Sequence, residues 1–77
     1  MWIRSQNLYT LIKCERLCIR KSVGRSHCII GNECVVLGAY STVDKALSVL
    51  DEIQRFIYHI DNLYATFQMP QDEEVEI

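Results

Sequence analysis

No stretch of this sequence is long and apolar enough to cross a bilayer as a helix: the longest run, CVVLGAY, falls far short of the roughly 20 residues such a span needs. The opening MWIRSQ carries an early charge and no apolar run behind it, so a conventional secretory signal is not expected. A chain that starts this way is expected to be cytoplasmic, with its four cysteines as reduced thiols. Glycine is scarce, three residues far apart, so no Gly-rich phosphate loop can be assembled. There is no Ser-His-Asp pattern, no nucleophile elbow, no internal repeat and no low-complexity block. An enzyme is therefore not expected, and no cofactor is implied. Seventy-seven residues make one domain, whose core contributes only a few kcal/mol beyond the cost of ordering the chain. A metal, disulfides or a partner subunit would each supply what such a core lacks.

The hydrophobic fraction of 49% and charged fraction of 23% are those of a folded globular chain. Charge is unevenly spread beneath a net value of -2. Residues 1 to 32 hold six basic groups against Glu15 alone, and residues 33 to 77 hold two against nine acids. The basic half invites a nucleic-acid partner, and the acidic half offers a counter-charge within or between subunits.

The first forty residues have the period and punctuation of short strands. MWIRS and YTLIK flank QN, ERLCIRK follows, SVGRS turns, and HCII and ECVVLGAY flank GN. In ERLCIRK the alternation sets Leu17 and Ile19 on one face and Arg16, Cys18 and Arg20 on the other. The period then changes. Ser41 or Thr42 is an N-cap, and Val43, Ala46, Leu47, Leu50, Ile53, Ile57 and Ile60 recur at spacings of three and four, widened by Val49 and Phe56. LYATFQM alternates again as a last short strand, ended by Pro70, and QDEEVEI reads as a disordered acidic tail over 71–77. The expected fold is a single α+β domain over residues 1–70: a small antiparallel meander of about five strands in the first forty residues, packed on one face by a helix from about Thr42 to His59, with a short C-terminal strand.

MWIRSQ at the start, VLGAYST leading into KALSVLDEIQ, and MP followed by acids resemble a group of small uncharacterised proteins of Gram-positive bacteria and their phages or mobile elements. The resemblance covers both ends and the helix, and CERLCIRKSVGRSHCII is not part of it. It implies a bacterial cytosolic setting. No activity, cofactor or site residue is carried over with it.

Chemistry concentrates between Cys14 and Cys34. Cys14, Cys18, His27, Cys28 and Cys34 are soft ligands, but C-x3-C, C-x9-C and C-x5-C match no common zinc knuckle or ribbon. Two residues four apart on one straight strand also stand about 13 Å apart, too far to share a zinc ion that holds sulfur at about 2.3 Å. Cys18, flanked at i-2 and i+2 by Arg16 and Arg20, is the candidate reactive thiol, since guanidinium groups favour a thiolate. The plain alternative is a small apolar filler. His27 could act as its base only in a suitable pairing of the fourth strand with the third. Lys13, Arg16, Arg20, Lys21 and Arg25 form a candidate nucleic-acid strip, with Trp2 or Tyr9 available for stacking, against which stands a pI near 5.5. One helix cannot hide all the aromatic residues and both faces of the sheet, so exposed apolar area, and with it a protein partner or a homodimer, is expected.

Overall fold

The computed structural model describes residues 1–21, 24, 26–59 and 65–75. Six strands and one helix follow in the order β1 (Trp2–Arg4), β2 (Leu11–Lys13), β3 (Leu17–Lys21), β4 (His27–Gly31), β5 (Val35–Tyr40), α1 (Val43–His59) and β6 (Thr66–Gln68), with a 3-10 turn at Asp72–Glu74. The α+β class and the helix agree with the sequence pattern. The strands, however, form two sheets instead of one meander, in the orders β2-β1-β6 and β3-β4-β5. The break falls after Lys13. There the Cys14 amide donates to the Met1 carbonyl and the Glu15 amide to Asn32 Oδ1, so the chain leaves the first sheet before it starts the second. The last strand lies parallel to β1, with Ile3 opposite Phe67 on one side and Ile12 on the other.

In the second sheet direct pairing sets Leu17, Ile19 and Lys21 on the same face as His27, Ile29 and Gly31, and Cys18 and Arg20 on the face of Cys28 and Ile30. The register between β4 and β5 shifts at Ile29/Ile30, leaving Leu37 as the extra residue, and this bulge turns Leu37 into the core while Val36 stays exposed. Gly38 has a definite purpose. A Cβ there would lie 3.0 Å from the hydroxyl of Tyr40, whose ring lies against that backbone.

The core comprises Ile3, Cys14, Ile29, Leu37, Tyr40, Ala46, Val49, Ile53, Met69 and Val75. Helix α1 is started by Thr42, whose Oγ1 accepts from the Lys45 amide at 3.1 Å while its carbonyl accepts from Ala46. It meets β6 through Phe56 and Phe67, edge to face at 5.5 Å.

The expected loose tail is corrected over residues 71–75. Val75 is buried in the core, because Asp72 is fastened to the start of the helix. The Asp72 carboxylate accepts from the Ser41 amide at 2.8 Å, and Lys45 Nζ donates to the Asp72 carbonyl at 3.0 Å. A run of acids reads as solvated, yet Asp72 is bound by the exposed donors preceding a helix.

The β4–β5 turn holds Asn32 and Glu33 at φ 50° and 75°, both left-handed, where hairpins prefer Asn-Gly. Asn tolerates this and Glu does not. Its ion pair with Arg16, 2.8 Å between two exposed side chains, returns little. Glu33→Gly should therefore raise stability by about 1 kcal/mol in urea titration despite losing that pair; unchanged or lowered stability would show that the Arg16 contact outweighs the backbone strain.

Candidate interaction surface

The residues singled out for chemistry are dispersed by the fold. Cys14 is in the core, its thiol donating to the Arg16 carbonyl at 3.2 Å, and it approaches Gly31 from the core side of the second sheet. Cys18, half-buried, and Cys28, buried, share the opposite face of that sheet, diagonally across β3 and β4, and Cys34 is exposed at the turn. No group of three or more metal-ligating side chains comes together among the described residues. His27 faces the opposite side from Cys18, because the register sets it against Lys21. A Cys18–His27 dyad is thus excluded by strand parity. Cys18 keeps one of its two expected cationic neighbours, Arg20, while Arg16 is engaged with Glu33.

The basic strip does not assemble into one face. Arg20 and Lys21 project from opposite faces of β3, Lys13 belongs to the other sheet, and Arg16 is neutralised by Glu33. Arg25 lies outside the described residues. Of the stacking candidates, Tyr9 is exposed and Trp2 is half-buried on β1. The charges on β3, a strand at a sheet edge, have a structural use: Lys and Arg there discourage pairing with another chain.

A polar junction replaces the cluster that sequence spacing suggested, and its centre is Gln6. The Gln6 amide donates to the Leu37 carbonyl at 2.7 Å, its side-chain Nε2 donates to the carbonyls of Ala39 and Pro70, and its Oε1 accepts from the Ala39 amide. A side-chain amide has one donor end and one acceptor end, so it completes the edge of β5 as a neighbouring strand would. Gln71 Nε2 donates to the Gln6 carbonyl at 2.7 Å, and the Tyr40 hydroxyl donates to Pro70 at 2.8 Å. No buried side-chain nitrogen or oxygen among the described residues lacks a partner. The depression beside this junction, lined by Gln6, Asn7, Val36, Leu37, Gly38 and Ala39, measures about 100 Å³, well below the size of a ligand pocket. Nothing in the sequence marks Gln6 out from other polar turn residues, since its partners lie 31 and more residues away.

Two groups at this junction give it opposite pH limits. The Ser41 amide, the Ser41 hydroxyl and Lys45 hold the Asp72 carboxyl below its ordinary value of 3.8. Burial pushes the Tyr40 phenol above its ordinary value of 10.0, with the carboxylates of Glu52, Asp72 and Glu74 adding to the shift. A depressed carboxyl stabilises the fold above its unfolded value, and this contribution is lost on acidification below about pH 4. A raised phenol stabilises it below about pH 10 and loses that contribution as the pH rises further. Thermal unfolding followed across pH should show both flanks. Tyr40→Phe should blunt the alkaline one and leave the acid one; an unchanged alkaline flank would mean another group controls it.

Of the large apolar side chains that the structure leaves exposed among the described residues, half lie on α1, and Val36 is a single one on β5. Ile53 is 1% accessible and Ala46 and Val49 are fully covered, whereas Val43, Leu47, Ile57 and Tyr58 stand at 44%, 48%, 52% and 82%. The stripe expected to face the core is therefore split along its length. Ala46, Val49 and Ile53 are buried and Leu50 and Phe56 half-buried, whereas Val43 and Leu47 on one margin are left outside, as is Ile57, one turn after Ile53 near the end of the helix; Ile60 is outside the described residues. A second exposed group is formed by Leu8 and Tyr9 of the β1–β2 connection, where Leu8 takes φ 73°, and by Leu11 at the start of β2. The accessible surface, 5415 Å², exceeds the about 4,900 Å² typical of a folded monomer of this mass. None of the helices among the described residues is long and apolar enough to cross a membrane. Comparison with protein-family models, with curated proteins and with solved structures found no match.

Proposed function

We propose that this chain is a small, non-enzymatic interaction module of the bacterial or phage cytoplasm that acts as a homodimer. The observation that carries this reading is the exposed side of α1, a helix that buries one apolar flank in its own domain and presents another to solvent. Exposed apolar strips of this kind mark association sites, and a symmetric pair is the commonest way to cover them. Two further features support it. A chain of 77 residues has little core, so burying more apolar surface in a dimer adds stability it otherwise lacks. The scattering of the thiols and basic groups leaves no comparable concentration of chemistry elsewhere among the described residues. The bacterial or phage setting rests on the resemblance of the two termini and the helix. Light scattering coupled to gel filtration over a hundredfold concentration range should give a mass approaching twice the chain's 9.0 kDa. A constant monomer mass at millimolar chain would end the proposal.

A further inference from the structure

The geometry points to the outer face of the β2-β1-β6 sheet as a platform for single-stranded nucleic acid, centred on Trp2 and flanked by Arg4 and Lys13. Strand parity builds that face. Ile3, Ile12 and Phe67 lie side by side and are turned to the core, so Trp2, Arg4, Leu11, Lys13, Thr66 and Gln68 are turned the other way. Helix α1 meets Phe67 through Phe56 on the core side, and so does not cover the outer one. The Trp2 indole is half-buried on the central strand, with Lys13 directly across from it on β2 and Arg4 two positions along β1. Opposed Cβ atoms in an antiparallel pair are about 5 Å apart and alternate positions on a strand about 7 Å apart, so both cations are within one side-chain length of the ring.

Charge on this face is of one sign. Arg4 and Lys13 are exposed, and neither is spent on a carboxylate: the ion pairs among the described residues are Arg16 with Glu33 and Lys45 with Asp72. Arg4 is aimed by donation from its Nε to the Leu8 carbonyl at 3.1 Å, which leaves its terminal nitrogens for another acceptor. No acid stands on the face, and none occurs in the chain before Glu15. An aromatic ring between two uncompensated cations suits a ligand that offers a flat face and a phosphate beside each such face, and that is a nucleotide strand. The strand must be single, because in a duplex the base faces are already stacked on one another. An acidic peptide would satisfy the cations and leave the indole without a partner. Of the basic strip that sequence spacing suggested, only Lys13 takes part, and the platform does not depend on self-association through α1.

Trp2 is the single tryptophan of the chain, so its fluorescence reports this face alone. Titration of the whole chain at low salt with an unpaired oligonucleotide of mixed sequence, about twelve nucleotides long, should quench that emission, with weaker binding of the same sequence as a duplex and none of polyglutamate. The logarithm of affinity should fall against the logarithm of salt with a slope of about -1.4, the value for two phosphate contacts on a single strand. With a labelled oligonucleotide, Trp2→Leu should weaken binding about fivefold or more, and Trp2→Phe should keep most of it. Arg4→Gln and Lys13→Gln should each halve the salt slope. Both are exposed positions, so these two variants keep the wild-type circular dichroism spectrum and carry the test if Trp2→Leu loosens the sheet. Absence of quenching, polyglutamate or duplex bound as tightly as the single strand, or a salt slope unmoved by both Gln variants would overturn the platform.

Discussion

Ile53→Ala is expected to cost about 3 kcal/mol, whereas Leu47→Ala, in dilute solution, should change stability by no more than about 0.5 kcal/mol. Both positions belong to the same periodic stripe in the sequence, and both are large aliphatic residues of one helix. They differ in what covers them. Ile53, 1% accessible, is enclosed by the core that joins α1 to both sheets, so its truncation removes transfer energy and leaves a cavity in surroundings that cannot fully relax. Leu47 is 48% accessible, its removal leaves no cavity, and Ala is the stronger helix former. In a domain of this size 3 kcal/mol is a large part of the stability available, and for 60–100 residues it amounts to a fall in Tm of about 12–24 °C. Chemical denaturation of the two variants at low micromolar concentration makes the comparison. Equal losses would mean that α1 is rotated relative to the placement described above.

Ending the chain after Pro70 should lower stability by about 2–3 kcal/mol, even though the removed segment, QDEEVEI, has the composition of a solvated tail. Most of that figure is the burial of Val75, which closes the core beside α1. The remainder is the loss of the hydrogen bonds that hold residues 71–75 in place: Gln71 to the Gln6 carbonyl, and the Asp72 carboxylate and carbonyl to Ser41 and Lys45 at the entrance of the helix. Truncation would leave the Ser41 amide without its acceptor and open the core where Val75 is buried. Val75→Asp separates the two contributions. It keeps the polar anchors and should still give most of the loss; a truncated chain as stable as the full one would mean that the segment is only loosely docked.

Much of the architecture was legible in the sequence. The helix was, because seventeen residues of regular three-and-four spacing admit no other element, and Thr42 supplies its cap. The strands of the second sheet were, because alternation is a local signal and GN marks a turn, although the left-handed pair falls one residue later, at Asn32 and Glu33, with Gly31 inside β4. The split between the sheets was not. It depends on the hydrogen bonds of Cys14 and Glu15 with Met1 and Asn32, and a strand's pattern does not say which edge it will join. The same holds for β6, whose partner β1 is over sixty residues earlier.

The candidate site was read less well, for a related reason. Residues close in sequence on a strand are placed on alternate faces, and a connection can carry the next residue to another sheet altogether. The compact cluster between Cys14 and Cys28 therefore became two buried thiols on opposite sides of the second sheet, a half-buried one at Cys18, and basic groups pointing in different directions. Composition reported that apolar surface would be left over. It did not report where.

By itself, the sequence determined the α+β class, the extent and cap of the helix, the alternation of β3 and the absence of any helix long enough to span a membrane, all of which follow from periodicities within a few residues. Only the tertiary structure decided that the strands divide into two sheets, that Gln6 seals the edge of β5, that the acidic C-terminal segment docks through Asp72 and Val75, and which side of α1 faces outward. Those outcomes depend on contacts between residues tens of positions apart. An amphipathic stripe fixes that a helix has an apolar side, while the width of the core it meets fixes how much of that side is covered.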